Sequence, residues 1–149
     1  MHCGRWTAIV AVTLAVAGCG SDSTGTDGVT LADLVGTWHV TKWECTNEAN
    51  TSQKVNLATV SGSDVTLTVA TSGAYTLAGS FAGEPWSASG SYAVQGGTIV
   101  VQESGAEPQS SPFTLTGDTW TISQLEGDWD FDNDGTDDPA RLVIVFTRQ

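Results

Sequence analysis

The segment Trp86-Ser87-Ala88-Ser89-Gly90-Ser91-Tyr92-Ala93-Val94 puts Trp86, Ala88, Tyr92 and Val94 on one side of an extended chain, and Ser87, Ser89, Ser91 and Ala93 on the other. A period of two residues is the mark of a strand with one buried face. The same period recurs in eight runs: Thr37–Cys45, Val65–Ala70, Ala74–Phe81, Trp86–Val94, Thr98–Glu103, Phe113–Thr116, Thr119–Phe131 and Arg141–Arg148. Turn-forming residues separate them: Ser61-Gly62-Ser63, Ser72-Gly73, Gly83-Glu84-Pro85, Gly96-Gly97, a loop from Pro108 to Pro112, and Gly117-Asp118. Between the first and second runs, Thr46–Val60 reads as irregular. In the seventh run the apolar phase slips between Ile122 and Leu125, which predicts a β-bulge. Eight short consecutive strands joined mostly by hairpins predict an all-β, eight-stranded antiparallel up-and-down barrel, because closure removes the exposed edges that an open sheet would leave. A β-sandwich is the alternative.

The first 30 residues follow a different logic. Arg5 precedes a 12-residue apolar run, Trp6–Ala17. A spanning helix needs ~20 residues, whereas a basic flank and a short apolar run suit a secretory signal. The run ends in Val16-Ala17-Gly18-Cys19, which resembles the bacterial lipobox. That resemblance implies a signal peptide over residues 1–18, cleaved before Cys19, with diacylglycerol on the Cys19 thiol and a further acyl chain on its amine. Two or three acyl chains, at ~0.8 kcal/mol per buried CH₂, hold a protein on a membrane almost irreversibly. Residue 20 is Gly rather than Asp; by resemblance to enterobacterial lipoproteins this implies the outer membrane. Residues 19–30, rich in Gly, Ser, Thr and Asp, read as a flexible tether to a domain at 31–149.

Without its signal the chain has four Lys and Arg against 17 Asp and Glu, a net charge of −13. Nucleic acid is excluded as a partner, because that affinity needs clustered cations to neutralise phosphates. Of Cys3, Cys19 and Cys45, the first leaves with the signal and the second is acylated, so no disulfide framework is expected and Cys45 reads as a small buried side chain.

Thr30 followed by Leu31-Ala32-Asp33-Leu34 predicts one capped helical turn, ended by Gly36. Then comes Gly36-Thr37-Trp38. A short helical turn followed by Gly-x-Trp at the start of the first strand resembles the opening of the lipocalins, and residues 31–149 resemble the small lipocalin-like domains of bacterial lipoproteins. The resemblance implies that Trp38 plugs the closed end of the barrel and that Arg148, near the end of the last strand, packs across its indole. It implies a monomer that binds a small hydrophobic ligand without catalysis. The domain lacks the disulfides and the long C-terminal helix of the larger secreted lipocalins and is shorter, so a barrel filled by side chains, serving as a structural or interaction module, is the competing expectation. Carriage inside the barrel requires a cavity of ~300 Å³ or more.

One segment carries a metal signal. Asp130-Phe131-Asp132-Asn133-Asp134-Gly135-Thr136-Asp137-Asp138 matches the first half of a calcium-loop pattern. Asp130, Asp132 and Asp134 are candidate ligands, with the Thr136 carbonyl and Asp138 as further ones. Arg141 stands where the pattern wants a bidentate Glu, so an EF-hand is excluded and a hairpin-borne Ca²⁺ site competes with an acidic turn. Seven of the 17 acids fall in Glu126–Asp138, a density that favours a counter-ion. His39 has no partners at catalytic or zinc spacing and reads as a strand residue. Lys42 and Glu44 continue the Trp38 phase, so either they face inward and pair or a bulge turns them outward. Trp38, Trp43, Trp86, Trp120 and Trp129 read as core, or as the lining of a hydrophobic pocket. No catalytic residues are assigned.

Overall fold

A computed structural model describes residues 28–149. The signal, Cys19 and the tether up to residue 27 lie outside the described residues. Among those described, no helix is long and apolar enough to cross a membrane.

The first element is a single helical turn, α1 (Leu31–Leu34). Its start is fixed by Asp33, whose Oδ2 accepts from the Thr30 amide at 2.8 Å and the Thr30 hydroxyl at 2.7 Å. These bonds, led by the Thr30 amide and aided by the Arg148 charge, hold the Asp33 carboxyl below its ordinary pKa.

Nine strands follow: β1 (Gly36–Asn47), β2 (Lys54–Asn56), β3 (Asp64–Val69), β4 (Ala74–Phe81), β5 (Glu84–Gln95), β6 (Thr98–Glu103), β7 (Gln109–Thr116), β8 (Thr119–Trp129) and β9 (Asp138–Arg148). β3 to β9 pair in chain order, all antiparallel, and β1 pairs with both β3 and β9. These eight strands close an up-and-down barrel, and closure removes the sandwich alternative. β2 is a short addition outside that count, paired with Glu44–Thr46 of β1.

The differences from expectation have local causes. The stretch Thr46–Val60 is not wholly irregular, since it holds β2 and a 3-10 turn at Leu57–Thr59. β1 pairs with β3 only through His39, and Leu57 of the 3-10 turn is buried where the two strands part. Asn56 fastens this segment by accepting from the Trp43 amide at 3.0 Å and the Ala58 amide at 3.2 Å. The expected loop Pro108–Pro112 is largely strand, because β7 begins at Gln109. Pro112 is tolerated there: its carbonyl, accepting from Ser123 Oγ at 3.3 Å, faces β8 beyond the last β7–β8 pair, so its missing N–H costs no ladder bond. The seventh run stops at Trp129 and the last starts at Asp138.

Two bulges set which side chains reach the interior. One lies in β8 between Ser123 and Leu125, with Gln124 at a positive φ of 61°, where the apolar phase slips. The other lies in β1 between Val40 and Lys42 and reverses the inward phase. Before it Trp38 and Val40 are buried; after it Trp43, Cys45 and Asn47 are. Lys42 and Glu44 are thereby turned outward, where they still pair at 3.1 Å.

Candidate functional site

The two ends of the barrel differ. The end that holds the start of β1 is sealed. Trp38 and Trp120 are fully buried, with ring centroids 5.5 Å apart and crossed edge to face, and Phe146 lies 4.9 Å from Trp120. Trp38 Nε1 donates to the Leu34 carbonyl at 2.8 Å. The Arg148 guanidinium lies 4.1 Å over the Trp38 ring. Its nitrogens donate to the Val35 and Asp33 carbonyls at 3.0 and 2.6 Å, so one cation ties the end of α1 to the end of β9. Gly36 makes this possible: its φ is +135°, and a Cβ there would come to 3.0 Å from Arg148 Nη1.

The opposite end is open, and its wall is uneven. β6 pairs only with Gly90–Gln95 of β5, and β7 only with Thr119–Ile122 of β8. β5 and β8 therefore rise past the short β6–β7 hairpin and leave a notch. Below it is a recess of about 40 Å³ whose lining includes Trp43, Tyr75, Trp86, Tyr92, Glu103 and Leu142. Trp43, Phe81 and Trp86 form a three-ring cluster on one side, each pair edge to face at 5.5–5.6 Å. Tyr75 and Tyr92 stack at 4.3 Å, and Tyr92 meets Trp120 edge to face at 5.3 Å. The two tyrosines thus stand between the recess and the sealed end. Burial first, then nearby negative charge, pushes both phenols well above the usual tyrosine range, so they remain neutral donors.

A volume of about 40 Å³ has room for no more than a few waters, at ~10–15 Å³ each, and is far below the ~300 Å³ of a ligand chamber. Elsewhere the interior is occupied by side chains, among them the buried Leu67, Ile99, Phe113, Ile122 and Ile144. Carriage of a whole ligand inside this barrel is not what the packing provides. The recess accepts a group of a few heavy atoms, with the rest of any ligand outside the mouth.

The acidic segment forms the tip of the β8–β9 hairpin, at the same end as the mouth. Ligand atoms of Asp130, Asp132 and Asp134 lie within 4.8 Å of one another. Backbone amides already occupy several of these oxygens: Asp130 accepts from Asp134 and Gly135 at 3.1 and 3.0 Å, and Asp134 accepts from Thr136 at 2.7 Å. Asp138 stands apart, in the β9 ladder opposite Trp129, and Thr136 is used in the turn through its amide. His39 lies 3.4 Å from Asp64 on the partly exposed outer face.

Sequence reasoning passed over Glu103 and the Tyr75–Tyr92 pair. For Glu103 a signal existed: it shares the phase of Ile99 and Val101, which are buried.

The chain matches a family model described as a lipocalin-like domain over residues 34–122. It is similar to a solved structure of a redesigned beta barrel at 18% identity, covering 86% of this chain and 99% of that one, with a TM-score of 0.47. No curated protein matches the chain.

Proposed function

Because the chain belongs to the lipocalin-like domain family, we propose that it is a non-enzymatic binding domain of the bacterial envelope that holds one end of a small, mainly apolar ligand at its open mouth. The observation that carries this reading is the aromatic recess below the β5–β8 notch, where side chains from six barrel strands leave room at the mouth. Anchoring completes the proposal. Cys19, acylated after cleavage of residues 1–18, ties the domain to a membrane, and Gly20 assigns it to the outer one.

Both parts are testable. Titration of a short alcohol such as hexanol is expected to quench the tryptophan fluorescence saturably, and Trp86→Ala to weaken the apparent affinity at least fivefold. A linear, non-saturating response would remove the binding role and leave a filled structural module. Cys19→Ser is expected to move the protein from the membrane pellet to the soluble fraction, and unchanged fractionation would refute the anchor.

A second reading concerns the hairpin tip, favoured by the convergence of Asp130, Asp132 and Asp134. A Ca²⁺ bound there would relieve their mutual repulsion and pin the β8–β9 tip. At a hundredfold excess over Kd such an ion stabilises by about 2.7 kcal/mol, enough to raise the melting temperature by several degrees. Asp132→Ala and Asp134→Ala should each abolish that rise. If neither Ca²⁺ nor EDTA moves the transition, the segment is an acidic turn.

A further inference from the structure

Trp43 brings a polar atom to the mouth as well as a ring. It is 5% exposed and lines the recess together with Tyr75, Trp86 and Tyr92. Its Nε1 is buried and has no hydrogen-bond partner among the described residues. A buried N–H without an acceptor is costly, because it has given up water and gained no bond in return. The surrounding rings do not repair this. Trp43 meets Phe81 and Trp86 edge to face, and a ring face is only a weak acceptor.

The tryptophans of the sealed end differ. Trp38 donates its N–H to the Leu34 carbonyl at 2.8 Å. Trp120 Nε1 also lacks a hydrogen-bond partner among the described residues, but its ring packs against Trp38, Tyr92 and Phe146 in the filled end. Of these three, Trp43 alone combines an unpaired donor with a place in the recess wall.

The chemistry of the recess narrows what can meet that donor. Glu103 and Glu126 are part of its lining, so a carboxylate is repelled. An ammonium brings donors only, and a hydrocarbon brings no acceptor at all. A hydroxyl accepts, but its own proton then needs an acceptor in turn. The oxygen of a ketone or ester satisfies the indole and adds neither charge nor donor. A recess of about 40 Å³ suits a carbonyl and the carbons next to it.

We infer that the recess takes the carbonyl end of a small uncharged ligand, a ketone or ester, whose oxygen accepts from Trp43 Nε1 while its alkyl part lies against Trp86. This rests on the mouth-binding reading above and adds to it the polar group of the ligand.

The test compares 2-hexanone with 2-methyl-1-hexene, which keeps the shape but carries a CH₂ in place of the oxygen. Both are titrated against the full-length protein in a neutral detergent, where partition into the detergent is common to every variant and cancels between them. Trp43→Phe keeps a ring and removes the N–H; loss of one hydrogen bond is expected to lower the ketone-to-alkene affinity ratio about fivefold. A second readout needs no variant to fold. In the native protein the Trp43 indole proton is expected to move downfield as 2-hexanone saturates, and to move less with the alkene. An unaltered ratio in Trp43→Phe, or an indole proton that responds alike to both compounds, would overturn the inference while leaving mouth binding intact. Saturable binding of neither compound would remove both.

Discussion

Trp38→Ala is expected to cost about 3–5 kcal/mol of folding free energy, the range for emptying a fully buried indole site that cannot collapse. The site cannot collapse because it is braced on every side: Trp120 crosses the ring edge to face, Arg148 covers it, and the Leu34 carbonyl accepts its N–H. A domain of this size has about 5–15 kcal/mol in total, so the variant would be near the limit of folding. Arg148→Ala should cost less, about 0.5–2 kcal/mol for a part-exposed cation–π contact, plus the loss of two carbonyl hydrogen bonds. Urea denaturation followed by far-ultraviolet circular dichroism gives both values. An Arg148→Ala loss larger than that of Trp38→Ala would mean that the clasp, not the stopper, holds this end together.

Tyr92→Ala is the second large effect, and it acts on function as well as stability. Tyr92 is buried, stacks on Tyr75 and separates the mouth recess from Trp120. Its removal should cost about 3–5 kcal/mol and merge the emptied volume with the recess. The expected result is a less stable protein that binds hexanol at least tenfold more tightly, the reverse of the usual linkage between a damaged core and lost binding. Denaturation and fluorescence titration of the same preparation check the two halves. A destabilised variant with unchanged hexanol affinity would show that Tyr92 is not the partition.

Much of the barrel was legible because its strands are short and half-buried, and such strands display their period directly. Trp86–Val94 reads the same in sequence and in structure, and the slip between Ile122 and Leu125 marks the β8 bulge. What was not legible depends on contacts distant in sequence. β2 has three residues and one apolar side chain, too few to show a period, and exists because Glu44–Thr46 offer it an edge. The β1 bulge left the direction of Lys42 and Glu44 open until the β9 register placed Trp43 opposite Ile144. Pro112 suggested a loop because the sequence cannot show that β8 bulges away at that level. The recess was hidden for the same reason. Its lining comes from β1, β4, β5, β6, β8 and β9, and its small volume follows from how Tyr75, Tyr92 and Leu142 fill the space between them.

The central claim is that ligands meet this barrel at its mouth while its sealed end stays filled. Each tryptophan gives one indole N–H signal in a ¹⁵N-correlated spectrum, so a titration with hexanol reads both ends at once. The account predicts saturable shifts of the Trp43 and Trp86 indoles with Trp38 and Trp120 unmoved. Shifts at Trp38 and Trp120 as large as those at the mouth would contradict it, because the ligand would then lie deep inside a barrel whose sealed end is filled by side chains.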